Sequence, residues 1–399
     1  MTKGRIRAGW RAPLAALTML AGVAGGGFCG SVGAEEPPVP ALPKVAPIAV
    51  KVIVIANFEP GADKGDAPGE FQLWAEREHL DEAIPVRGSL HPLMRNREGL
   101  YGIVWGRTGT LFGGSVEQMT ALLLDPRFDF RKTYWLFTGI SGVDPELASV
   151  GSAAWARWVV QGDTLREFDD REVPKDWPYG LFAIGAHRPG ELPNDPGSFG
   201  GMTDASEAGQ LSMAIRLNPA LARWAYERTK SVVLPDSPEL KAGRARWKGY
   251  PNAQKPPFVL MGETLGALRY WHGPGRTQWA RDWVKLWTGG KGRFAMTNME
   301  SQTLAGAMLL AAKQGLVDPA RMMVLRTASN PSMPPPGVSA VESVGDEGPG
   351  QVAAYEANYR VGAPIVHELL THWEQYRDTI PGVADEAAAP AAVDGGKGQ

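Results

Sequence analysis

Short, wholly apolar runs alternate along this chain with stretches whose apolar positions recur every three or four residues. The first run, Val52-Ile53-Val54-Ile55-Ala56, has no polar alternation, so the strand it predicts over 51–56 is covered on both faces. Similar runs predict strands over 100–105, 133–137, 151–160 and 258–261. Helical spacing predicts helices over 70–80, 112–124, 219–229, 277–288, 299–314 and 362–377. A last apolar run, Met322 to Leu325, leads into Arg326-Thr327-Ala328-Ser329-Asn330 and a proline-rich loop. Strands alternating with helices argue an α/β fold, a sheet covered by helices on both sides. The Pro- and Gly-rich reach 163–257 predicts mostly loop around the helix at 219–229.

The ends read differently. Lys3, Arg5, Arg7 and Arg11 precede an apolar stretch at 12–24, and Val32-Gly33-Ala34 before Glu35 suits cleavage after small residues. Residues 1–34 therefore read as a signal peptide, and the expected location is periplasmic or secreted. Residues 35–48 read as a Pro/Ala-rich linker, 49–383 as one folded domain and 384–399 as a low-complexity, disordered tail. The single cysteine, Cys29, lies inside the leader, so no disulfide framework or thiol chemistry is expected of the mature chain. After the leader no segment is apolar enough to span a membrane, so any membrane passage would need a separate transporter.

Composition narrows the function. The chain has 399 residues and a net charge of -2, with no basic excess to attract a nucleic-acid polymer. Its 14 tryptophans are many, but core packing accounts for most Trp. The six histidines show no ligand spacing, so no metal site is expected; no G-x-S-x-G elbow is present, which argues against a serine hydrolase. No cofactor is expected, with phosphate the one candidate cosubstrate.

Several residues carry two readings each. Glu300, beside Met299 at a helix start, either favours the helix dipole or grips the two hydroxyls of a ribose through charge-assisted hydrogen bonds. Asn330, before Pro331, is either a turn residue or an amide facing a purine edge. Glu70, after Pro68-Gly69, either caps a helix or serves as a general base for water. Two glycine loops, one over 106–109 and one over 139–142, follow strands, and Gly139 and Gly142 let a ligand approach the backbone. In the first loop, Arg107 and Gly109 form the candidate phosphate site; such an Arg is more often a solvated charge. Tyr270 and Trp271 offer rings on which a base would stack, or are core.

Taken together, the segments resemble the purine nucleoside permease family over most of 50–378. The resemblance is carried by Phe128-Asp129, Lys132-Thr133-Tyr134-Trp135, Gly139 through Pro145, Gly151-Ser152-Ala153, Ala156-Arg157, Asp169, Arg171 through Pro174, Trp177, Thr297 with Glu300, Arg326 through Asn330 and Pro334-Pro335-Pro336-Gly337. That family in turn resembles, more distantly, the nucleoside phosphorylases and nucleosidases. The resemblance implies a three-layer α/β/α sandwich with a mixed central sheet. It also implies a ribose contact at Met299-Glu300, a purine contact at Ser329-Asn330 and a water-activating Glu70. The expected ligand is a purine nucleoside and the expected chemistry is cleavage of its N-glycosidic bond, by hydrolysis or phosphorolysis. The alternative is a non-catalytic binding component of nucleoside uptake, and a homo-oligomer is compatible with either. Asn330 stands where many relatives carry an acid, which weakens the case for protonating a leaving base.

Overall fold

In the computed structural model, residues 46–106, 114–193, 213–345 and 348–383 are described. Arg107 and Gly109 lie outside them, as do the leader and the tail.

One twelve-stranded sheet organises the chain. Its strands are β1 (Val52–Ala56), β2 (Glu82–Ile84), β3 (Leu93–Arg95), β4 (Leu100–Val104), β5 (Tyr134–Val143), β6 (Ala153–Trp155), β7 (Trp158–Gln161), β8 (Ala214–Arg216), β9 (Val259–Met261), β10 (Glu263–Gly266), β11 (Phe294–Asn298) and β12 (Met322–Pro331). The main path runs β8-β7-β10-β11-β5-β1-β4-β3-β2. Parallel pairs (β1 with β4 and β5, β5 with β12, β10 with β11) and antiparallel ones (β12 with β6, β8 with β7) make it mixed.

The long central strand β5 causes the sheet to branch. Its first half pairs with β1, its whole length with β12, and its last residue, Val143, with Met296 of β11. Since β12 also pairs with β6 and β6 with β9, and only Gly262 separates β9 from β10, the pairings close a ring back to β11 and β5. Carboxyl ends of several strands thus meet at one place.

Helices cover both faces, giving the expected three layers. They are α1 (Gln72–Arg77), α2 (Ser115–Leu123), α3 (Pro219–Thr229), α4 (Pro238–Ala245), α5 (Pro274–Trp287), α6 (Ser301–Lys313), α7 (Ala340–Val344) and α8 (Gly348–Thr371). Alternate residues of β1 separate the layers. Ile53 and Ile55 pack with Met119 of α2 and Leu304 and Met308 of α6, whereas Val52, Val54 and Ala56 pack with Trp74 of α1, Leu221 of α3 and Val361 and Ile365 of α8. Trp74, Trp105, Trp135, Trp155 and Trp279 are fully buried, so much of the tryptophan content is core.

Four expectations need correction. The strand expected over 133–137 continues to Val143, so the second glycine loop is strand backbone, held by β12 along its length. The stretch 151–160 is two strands, bent at Ala156-Arg157, where the buried Glu263 carboxylate takes the backbone N–H groups of Arg157 and Trp158, both at 2.8 Å. The last long helix begins at Gly348 rather than near 362. Helix α1 spans only Gln72–Arg77.

Candidate functional site

A cavity of about 190 Å³ opens where β1, β5, β10, β11 and β12 end. It is lined by Asn57 and Phe58 after β1, Glu70 before α1, Ile140 to Gly142 of β5, Arg269 to Trp271 after β10, Thr297 to Glu300 at the end of β11, Ser329 and Asn330 of β12, and Gln351 of α8. Ligands in open α/β sheets bind outside the carboxyl ends of strands, and this cavity follows that rule.

Glu70 is buried without capping a helix. One carboxylate oxygen, Oε2, accepts the N–H groups of Asn57 at 2.9 Å and Phe58 at 3.0 Å, and Oε1 accepts that of Ile140 at 2.7 Å. Capping of α1 falls instead to Glu59, which accepts from Gly69, Phe71 and Gln72 at 2.6 to 2.8 Å. Burial, helped by the nearby Glu300 charge and offset in part by Arg326 and the N–H donors, raises the Glu70 carboxyl to about 7. A carboxyl poised there is half ionised at neutral pH and matched to general-base work.

Glu300 is likewise relieved of capping. The side chain of Asn298 accepts the N–H of Ser301 at 2.8 Å and that of Glu300 at 3.1 Å, closing the start of α6. Glu300 instead accepts a hydrogen bond from Arg326 Nη2, which also contacts Ser301 Oγ, and takes the Met299 N–H at 3.1 Å. Arg326 is 1% exposed in the middle of β12. A Cβ on Gly139 would collide with Arg326 Nη1 and lie 2.7 Å from Glu70 Oε1, so glycine is required for the cation to stand beside both acids. Gly139 supports the cavity from behind, whereas Gly142 lines it and donates its N–H to Thr297 Oγ1 at 2.8 Å.

On the other side of the cavity, Asn330 accepts the Ser329 hydroxyl at 2.8 Å, and its Nδ2 donates to Tyr270 OH at 3.3 Å and to the Pro331 carbonyl at 3.1 Å. Tyr270 is half exposed at the cavity wall. Trp271 borders the cavity but packs edge-on against Trp279 at 5.6 Å and beside Phe294 at 5.9 Å, so its ring is shared with the core.

Eight of the residues singled out from sequence therefore share one cavity: Glu70, Gly142, Tyr270, Trp271, Met299, Glu300, Ser329 and Asn330. Two others went unnoticed as site residues. Arg326 carried a signal, the lone charge in strand β12. Asn57 carried almost none: it is 1% exposed, lines the cavity, and both polar atoms of its side chain lack a partner among the described residues. Such a buried amide calls for a partner beyond the described residues, from ligand, solvent or chain. The cavity thus offers two carboxylates, with the Arg326 charge buried beside them, and two amides.

The sequence profile of the purine nucleoside permease family matches residues 49–381. A Schizosaccharomyces pombe protein named "Probable purine nucleoside permease" is 26% identical over 270 residues, 67% of this chain and 76% of the relative. The purine nucleoside permease of Candida albicans is 28% identical over 268 residues, 65% of this chain but 62% of its own length, so the matched region spans less than two thirds of that relative. Among solved structures, a 5'-methylthioadenosine/S-adenosyl homocysteine nucleosidase of Helicobacter pylori has a TM-score of 0.44 at 13% identity, covering 80% of this chain and 100% of its own. The futalosine hydrolase of the same organism has a TM-score of 0.44 at 15% identity, covering 80% and 99%. With its profile matched from residue 49 to 381, well over half its length, this chain belongs to the purine nucleoside permease family.

Proposed function

We propose that the cavity binds a purine nucleoside and that the protein cleaves its N-glycosidic bond. The observation that carries this reading is that Glu70, Glu300 and Asn330 line one cavity, with Arg326 buried beside the two acids. In this reading Glu300, oriented by Arg326, accepts hydrogen bonds from the ribose hydroxyls, and the Asn330 amide meets the purine edge. Glu70 takes a proton from a water as its oxygen attacks the anomeric carbon. The bond from that carbon to the ring nitrogen breaks, and the base departs with the electron pair, stabilised by a hydrogen bond from Asn330 and protonated from solvent. General-base assistance of this kind contributes roughly 10² to 10⁴ in rate. Phosphate in place of water would give the phosphorolytic variant, with Arg107 and Gly109 as its candidate contacts.

A second reading, a nucleoside-binding component of an uptake system, is favoured by Asn330, whose amide has no acidic proton to give a leaving base, and by the family's description as permeases. Among the described residues no helix is long and apolar enough to cross a membrane, so this reading assigns the pore to a separate protein. Both readings place the mature chain in the periplasm or outside the cell, on the strength of residues 1–34.

Incubating the mature protein with inosine and adenosine, with and without phosphate, and measuring released base separates them. Release without phosphate supports hydrolysis, and release only with phosphate supports phosphorolysis. Tight binding with no release in either condition would reject cleavage and leave the uptake reading. Glu300→Ala is expected to abolish binding under either.

A further inference from the structure

A second cavity, of about 390 Å³, shares Ser329 and Asn330 with the first. It has none of the sugar-side residues, for Glu70, Thr297, Met299 and Glu300 line the first cavity alone. If Glu300 marks the ribose end, the second cavity lies beyond the base. At about 190 Å³ the first cavity is smaller than the roughly 300 Å³ at which small-molecule sites usually begin.

The lining of the second cavity is mainly apolar, with Val150, Leu240, Trp247, Ala253, Pro331 and Pro335 among its walls. Its two cations are committed. Arg244 pairs with Asp236 at 2.5 Å, and Arg246 pairs with Glu342 at 3.2 Å. Trp247 is held edge-on against Tyr250 at 5.4 Å, which gives the space a firm aromatic wall. Gly243 of α4 also lines it, and a Cβ there would meet nothing within 4 Å, so this position faces open space.

We infer that this second cavity is an annex of the nucleoside site, built to take a bulky apolar group carried on the purine. The inference rests on the nucleoside reading and names its substrate class: purine nucleosides substituted on the base edge that faces Asn330. Ser329 and Asn330 line both cavities, so a substituent on the purine edge beside them reaches the annex. There it exchanges water for the apolar walls around Trp247, a gain that scales with the apolar area removed from solvent.

Calorimetric titration of the full protein with adenosine and with N6-benzyladenosine tests this. The benzyl compound is expected to bind about tenfold tighter or better, as burial of an aromatic group implies. Gly243→Leu adds bulk at the annex wall away from the sugar end, and it is expected to remove that advantage while leaving adenosine affinity within about twofold. Equal affinity for the two compounds in the wild type, or a Gly243→Leu variant that weakens both alike, would overturn the annex while leaving the nucleoside site standing. Binding of neither compound would overturn the nucleoside reading and the annex with it.

Discussion

Arg326 and Glu300 form an ion pair almost wholly withdrawn from solvent, with side chains 2% and 5% exposed. Glu70 belongs to the same cluster, because the Glu300 charge raises its carboxyl and the Arg326 charge lowers it. Removing one partner of a buried pair is costly because the other charge stays behind, typically 3–5 kcal/mol. Arg326→Met is therefore expected to destabilise the protein by about 3 kcal/mol or more, as it leaves two buried acids facing each other. Urea unfolding measures this, and the double variant Arg326→Met/Glu300→Leu should regain much of the loss. A single variant within about 1 kcal/mol of wild type would show that the cluster is solvated.

The raised Glu70 carboxyl predicts a pH dependence of defined sign. Its folded value of about 7 lies above the ordinary 4.5, so the native state binds the proton more tightly than the unfolded chain. The stabilisation it provides is complete below about 4.5 and is lost as pH rises through 7, with an upper bound of roughly 3 kcal/mol from a shift of that size. Glu59, raised likewise to about 7 by burial, acts in the same direction. Unfolding free energies of wild type minus Glu70→Gln, measured from pH 4 to 8, should fall across that window. A flat difference would mean that Glu70 titrates normally. Cleavage should run the opposite way, with kcat/KM rising as pH passes 7, because the base must be ionised.

Two glycines of β5 should respond unequally to the same change. A Cβ on Gly139 would strike Arg326 and Glu70, whereas one on Gly142 would stand 3.2 Å from Thr297 Oγ1 and 3.3 Å from Asn330 Nδ2, contacts relieved by a small shift. Gly139→Ala is expected to cost about 1–3 kcal/mol of stability by overpacking and at least tenfold in nucleoside affinity. Gly142→Ala should leave stability nearly intact. Equal effects at the two positions would show that the cation does not need its place against β5.

Much of this site was legible in sequence, for physical reasons that also mark the limits. Glu300 and Asn330 stand where strands end and Glu70 just before α1, and the carboxyl ends of a sheet's strands converge whatever the intervening loops do. Gly139 to Gly142 reads as a loop because glycine and serine are poor strand formers alone; here β12 runs beside them residue by residue and overrides the local preference. The helix expected over 362–377 starts at Gly348 because proline is tolerated in a first helical turn, and a side chain at Gly350 would strike the Ser329 carbonyl. Arg326 shows locally only as a charge within β12, and its pairing with Glu300 appears only in the fold; Asn57 is disclosed by its burial alone.

Asn330 is the position at which binding and cleavage diverge. Its amide donates a hydrogen bond to a departing base but cannot transfer an acidic proton, whereas an aspartic acid there can do so when protonated. Asn330→Asp, placed beside the Ser329 and Tyr270 hydroxyls, is expected to raise release of free base by about tenfold or more, most strongly below pH 6, where the acid form is populated. Chromatography of reaction mixtures reads the effect. A variant that binds adenosine as wild type does and releases base no faster would show that leaving-group protonation does not limit the reaction.

Asn57 should exchange stability for ligand affinity. Its side chain is 1% exposed, and neither its oxygen nor its nitrogen has a partner among the described residues, an arrangement that carries the desolvation cost of an unsatisfied amide unless a ligand, water or a residue outside them pairs it. That cost is roughly 1–3 kcal/mol for a buried polar group, and a leucine of similar volume does not incur it. Asn57→Leu is expected to unfold at the same or a higher urea midpoint than wild type. The same variant removes a donor and an acceptor from the cavity wall, so nucleoside binding should weaken by about 1–2 kcal/mol, or roughly five- to thirtyfold. Both measurements are required because they separate two origins of the unpaired amide. A variant less stable than wild type with unchanged affinity would mean that Asn57 is paired in solution by structural water and serves the fold. A variant more stable and weaker in binding identifies a residue kept at the expense of stability because the ligand completes its hydrogen bonds.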